Sequence, residues 1–148
     1  MNRTAIWCTS LIMALALAPC GAKPDANVSK YRAMGYVVVT PNGPADGGDF
    51  GPGTSGTRTS GIQEAIDLAV AGGKKVYVYG SGEPGALRND VRYTVKETIK
   101  VPAVRGFRLM AAGSIITYKK SRGDAIVIAG QEKSSLRFGV IKSLSKDG

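Results

Sequence analysis

Two hydrophobic periods divide the chain. Ile62, Ala65, Ile66 and Ala69 recur at i, i+3, i+4 and i+7, the spacing of one buried helix face. Ser60 is placed as the N-cap of this helix with Gln63 three residues on, a capping-box pair, and Gly72-Gly73 supplies a left-handed stop. Glu64 and Asp67 fall on the opposite face; their i, i+3 spacing could present two carboxylates to a metal, but a solvated helix face is much the plainer account. Ahead of the helix, residues 36–40 form a short β-branched strand, and residues 41–61 are so rich in Gly, Pro, Ser, Thr and Asp that only loop fits. Beyond Lys74 the period becomes two. Strands are predicted at 76–79, 93–95, 98–101, 107–110, 115–118, 125–128 and 136–141, with no second helix.

Short strands at this spacing suit a sandwich, a barrel or a β-solenoid. A single helix ahead of such an array fits the solenoid best, because stacked coils leave an open apolar end that a terminal cap must cover. The expected class is therefore all-β: a right-handed parallel β-helix with an N-terminal capping α-helix. The residues that sharpen this are Asp49-Phe50-Gly51, then Gly61-Ile62-Gln63-Glu64-Ala65-Ile66-Asp67-Leu68-Ala69, Gly72-Gly73 and Val76-Tyr77-Val78-Tyr79. Together they make residues 46–80 resemble the opening of the pectate-lyase-like superfamily of right-handed parallel β-helix proteins. Thr98-Ile99, Gly106-Phe107-Arg108-Leu109 and Gly123-Asp124-Ala125-Ile126 resemble its first-coil elements, which extends the resemblance over 36–142. In that family the strand is followed by a Pro-Pro-Gly-x-Tyr turn, whereas here Gly80-Ser81-Gly82-Glu83-Pro84-Gly85 begins a longer one.

The first residues carry a different signal. Arg3 precedes the mostly apolar run Ala5 to Ala18, the length of a signal-peptide core and short for a bilayer span. Cleavage after Ala22 and a lipoprotein cut before Cys20, at Leu17-Ala18-Pro19-Cys20, both fit, so Cys20 is a candidate lipidation site. Export then leaves no pair of cysteines, since Cys8 lies inside the segment, and the domain must be held without disulfides. The expected organisation is an export segment at 1–22, a polar aperiodic tether at 23–35, and the N-terminal part of a β-helix domain at 36–148 that continues past Gly148. Asn27-Val28-Ser29 matches a glycosylation sequon, a match close to chance.

Charge adds a partner class. The net charge is +9, and all of it lies beyond residue 73: residues 1–73 balance five basic against five acidic groups, whereas 74–148 hold 15 and six. Such a surface attracts polyanions, with solvated strand edges as the plainer reading. The chain has no histidine, which excludes a His-based triad and imidazole metal ligands. The carboxylates after Lys74 (Glu83, Asp90, Glu97, Asp124, Glu132 and Asp147) are each at least seven residues from the next. No catalytic residue is therefore assigned.

The family resemblance implies either a lyase, which would hold a uronate through Ca²⁺ and remove a proton with Arg or Lys, or a hydrolase using two carboxylates. Calcium is expected only in the lyase case, with its ligands unseen, and the catalytic coils would lie beyond this chain. Gly80-x-Gly82-x-x-Gly85 satisfies the literal dinucleotide fingerprint but lacks room for the helix that must start there, so it reads as a turn and no cofactor is expected. Asp124 reads as a turn cap. Arg122 and Arg137 are candidates for contact with an acidic sugar, and Tyr77, Tyr79, Tyr93 and Tyr118 for stacking on sugar rings, against solvated and half-buried readings respectively. Nucleic acid is not expected, and a membrane only through a lipid on Cys20. The function expected is an exported, secreted, periplasmic or cell-surface protein that binds or cleaves anionic polysaccharide; the alternative is a non-catalytic surface module.

Overall fold

A computed structural model describes residues 24–80, 91–120, 122–130 and 132–143. The segment read as an export signal (with Cys20), the glycines Gly82 and Gly85, and the carboxylates Glu83, Asp90 and Asp147 lie outside them. The described elements run α1 (Ala26–Ala33), β1 (Tyr36–Val39), α2 (Ile62–Ala71), β2 (Lys75–Val78), β3 (Val91–Val95), β4 (Ile99–Val101), β5 (Arg108–Tyr118), β6 (Ile126–Ile128) and β7 (Ser135–Ser143). Every described strand pairing is parallel: β1 on β2, β2 on β5, β3 on β5, β5 on β7, and β4 on β6 in a separate pair.

This arrangement corrects the expectation of an all-β parallel β-helix. The chain is a mixed α/β structure with two helices and seven strands among the described residues, and its sheets do not form a solenoid. Solenoid rungs would stack one coil on the next; here β2 and β3 both pair with β5, at Leu109–Met110 and at Ser114–Tyr118, while β7 also runs along it. The physical cause is visible in β1, whose four residues are all buried. Val37 and Val39 pack with Ile62, Ala65, Ile66 and Ala69 of α2, and Tyr36 and Val38 pack with Val28 and Tyr31 of α1. Helices thus cover both faces of this part of the sheet, the arrangement typical of parallel α/β sheets.

The segment 23–35, read as a polar tether, therefore carries a helix. Asp25 caps it by accepting from Asn27 N at 2.7 Å, and its grip on the sheet is aromatic. The Tyr31 ring stacks on Tyr77 at 3.8 Å and meets Tyr36 edge-on at 5.1 Å, while its hydroxyl donates to Met110 Sδ at 3.1 Å.

α2 lies where its periodicity placed it, but its N-cap is Gly61, at φ 83° and without a side-chain bond, and the loop before it supplies the acceptor. Thr59 Oγ1, not Ser60, accepts from Gln63 N at 2.9 Å and itself donates to Glu64 Oε2 at 3.0 Å. The Ser60 hydroxyl reaches Thr94 O in β3 at 2.6 Å from a backbone at φ 56°. The Gln63 amide pairs with the Lys100 backbone, accepting from its N–H at 2.7 Å and donating to its carbonyl at 3.2 Å, so this side chain acts as a short length of neighbouring strand for β4.

The two strands expected at 107–110 and 115–118 are one, β5. Gly113 at φ 82° and a register shift between Ala111 and Ile115 let it bend without ending. Leu109 and Ala111 before the bend, and Ile116 and Tyr118 after it, all enter the same core.

Ile66 is fully buried between α2 and the sheet, whereas Leu68 on the outer face of the helix is 48% exposed. Ile66→Ala is expected to lower the unfolding free energy by about 2–5 kcal/mol and Leu68→Ala by less than about 1 kcal/mol. Urea denaturation with an unchanged m-value checks both, and equal effects would contradict the packing.

Candidate functional site

Outward positions of β3 alternate with its buried Tyr93 and Val95, and they are Arg92, Thr94 and, just past the strand, Lys96. The loop before α2 runs beside them. It is pinned there by Ser60 Oγ donating to Thr94 O and by Lys96 N donating to Arg58 O at 3.0 Å. Between loop and strand lies an open groove of about 460 Å³ lined by Pro52, Thr57, Arg58, Ser60, Arg92, Thr94 and Lys96. Its lining holds three cations, three hydroxyl side chains and no carboxylate.

The sheet register extends the same surface. Arg92 lies beside Ile115, which pairs with Val140, and Thr94 lies beside Thr117, which pairs with Lys142. Lys119, whose N–H donates to Val95 O at 3.0 Å, follows directly after β5. The surface thus sets the cations Arg92, Lys119 and Lys142 and the hydroxyls of Thr94 and Thr117 on strands, or directly after one, around the apolar pair Ile115 and Val140, which costs little reorganisation when an anion arrives. Arg58 is the one groove cation with an ion-pair partner among the described residues: its Nε lies 2.9 Å from Glu97 Oε1, with the side chain 71% exposed. The other ion pairs among the described residues are Arg32–Asp49 and Arg105–Glu132, neither in the groove.

No family model, curated protein or solved structure matches the chain. The chemistry is therefore argued from the residues alone.

The tyrosines proposed to stack on sugars are structural. Tyr77, Tyr93 and Tyr118 are almost wholly buried, and the Tyr93 hydroxyl donates to Tyr79 O at 2.9 Å, with Val39 O at 3.4 Å. Burial, then the neighbouring Tyr31 and Tyr79 and the charge of Asp25, raise the Tyr77 phenol well above its ordinary range. Burial foremost, with Tyr77, Asp46 and Tyr79 adding to it, does the same for Tyr93. Tyr79 is raised as well, by burial and then by the charge of Asp25, to which its hydroxyl donates at 3.2 Å.

Asp25, Asp46 and Tyr79 share a second, smaller pocket of about 210 Å³ with Val28, Thr40 and Pro41. Its carboxylates are already engaged: Asp25 caps α1, and Asp46 accepts from Asn42 N at 2.9 Å and Nδ2 at 3.0 Å. On α2, Glu64 takes the Thr59 hydroxyl and Asp67 takes the Gln63 amide at 2.8 Å. Among the described residues no three His, Cys, Asp or Glu side chains come together as a metal site, and no helix is long and apolar enough to cross a membrane.

The Asp124 carbonyl accepts from Thr98 Oγ1 at 2.7 Å at the entry to β6. Arg122 stands apart from the groove, and Arg137 lines a different cleft. Gly80, first of the fingerprint glycines, packs so closely on the Ala112–Gly113 backbone that any Cβ would collide with it, which gives that glycine a packing role. Arg58, Arg92 and Lys96 escaped the sequence reading; the Arg92-x-Thr94-x-Lys96 alternation was the signal available for two of them.

Because the folded state holds Tyr77 and Tyr93 neutral, it keeps their protons above pH 10 while the unfolded chain loses them. Stability is then unaffected by these groups below about pH 10 and falls as pH rises above it. Absorbance titration of tyrosinate alongside circular dichroism should show at least two tyrosines ionising only as the fold is lost. Full, reversible ionisation of all tyrosines in the folded protein would refute this.

Proposed function

We propose that the protein is an exported binder of anionic polysaccharide and that the Arg58–Arg92–Lys96 groove is where it engages the polymer. The observation that carries this reading is the groove's composition: cations and hydroxyls fixed on one strand and one pinned loop, with no carboxylate in the lining. An open trough suits a chain ligand, whose charges repeat along its length, better than a compact solute. The apolar run behind Arg3 supports export, and outside the cell the abundant polyanions are glycans. The role is binding; the groove lining offers no carboxylate pair for acid–base hydrolysis.

Binding should be measured by calorimetry with polygalacturonate and with heparin at low and at physiological salt. Arg92→Gln with Lys96→Gln is expected to weaken binding by about tenfold and to flatten its salt dependence, since two charge contacts with the polymer are lost. Lys100→Gln, on β4 and outside the groove, should change little. Glu97→Gln releases Arg58 from its ion pair and is expected to strengthen binding a few-fold, roughly the effect of an exposed pair. Unchanged affinity in the double variant, or no binding of either polymer at low salt, would overturn the reading.

A further inference from the structure

A second cationic site lies at the other end of β5, on the surface that α1 leaves uncovered. β5 and β7 set Arg108 opposite Ser135 and Met110 opposite Arg137. Arg108 and Arg137 are thus diagonal neighbours on one face, with Cβ atoms roughly 7 Å apart, close enough for two long guanidinium side chains to converge. They do line one cleft of about 190 Å³, together with Tyr36, Leu109, Met110 and Ser135. Lys75, outside the lining, holds its Nζ 5.5 Å from the centroid of the Tyr36 ring. None of the ion pairs among the described residues involves Arg108, Arg137 or Lys75.

We propose that this cleft binds one tetrahedral oxyanion, the phosphate or sulfate group of a monoester. Two guanidinium forks approaching from adjacent strands can each give parallel N–H bonds to an oxyanion, and the Ser135 hydroxyl supplies a further donor between them. The mostly buried Tyr36 ring supplies an apolar wall beside these donors, which limits the water competing for each charge-assisted bond on that side. The size also discriminates. The cleft is less than half the volume of the groove, so it suits a single charged group rather than a length of polymer. The site shares no lining residue with the groove, so either stands if the other fails.

The test is amide chemical-shift mapping of the unaltered protein during titration with inorganic sulfate and inorganic phosphate. Saturating shifts at Arg108, Ser135 and Arg137, with little change at Arg92 and Lys96, are expected. Arg108→Gln and Arg137→Gln, both at exposed side chains, should each weaken binding about tenfold, and Arg137→Lys should restore only part of it because the fork is lost. Arg92→Gln should leave it unchanged. Glucose 6-phosphate and glucose 6-sulfate then separate the two esters. Affinity for the phosphate should rise between pH 5 and 7 as its second proton leaves, with a pKa of about 6, while that for the sulfate stays flat; the tighter ligand identifies the ester. Absence of saturation, shifts centred on the groove, or binding that survives the double Arg108→Gln, Arg137→Gln variant would overturn the proposal.

Discussion

The parallel pairing along β5 is the constraint on which the rest of the structure depends. Its 11 residues take β2 and β3 in succession and β7 throughout, so strands from three separate stretches of chain share one backbone ladder. Parallel strands cannot be joined by tight hairpins, and each pairing closes a long loop before any hydrogen bond forms. What offsets that entropy is the continuous core on the inner face of β5, where Leu109, Ala111, Ile116 and Tyr118 meet Tyr93, Val95 and the apolar stripe of α2. The other face of the same strand borders the two proposed sites, lining the oxyanion cleft at its start and pairing at its end with β3, whose outer side chains line the cationic groove.

Tyr93 shows how tightly this centre is specified. Its ring is fully buried, yet its hydroxyl reaches the carbonyls of Tyr79 and Val39, where β2 and β1 finish. A buried phenol needs such partners, because leaving it unbonded costs about 1–3 kcal/mol. The hydroxyl thus registers three strands against one another, and the outward neighbours Arg92 and Thr94 inherit that rigidity.

What could be read from the sequence was whatever depends on local period. The stripe of α2 and the alternation in the later strands place those elements to within a residue or two. α1 was hidden because only Val28 and Tyr31 of its eight residues are buried, too few to set a period, and its docking is by tyrosine rings from β1 and β2. The α2 cap was misplaced by one residue because the Ser60 hydroxyl is drawn to Thr94 O, 34 residues away. The all-β expectation failed for the same reason: whether short parallel strands stack into coils or share one central strand is decided by long-range pairing, to which period two is blind. The candidate site follows that pattern. Arg92 and Lys96 share a strand face, but Arg58 joins them only because the loop is tied to β3, and Arg108 meets Arg137 only through the register of β5 on β7.

The bend at Gly113 separates these two cationic areas. β7 bends with β5, since the register shifts between Ala111 and Ile115, and Gly139 of β7 packs against the Ser114 backbone with no room for a side chain. The outer surface is therefore interrupted at this point rather than running as one regular sheet face. At distances beyond the Debye length, about 8 Å at physiological salt, the two areas act as one weak positive source. At contact they act separately. A ligand that engages both areas must span the irregularity at Gly113, so binding at one need not preorganise binding at the other.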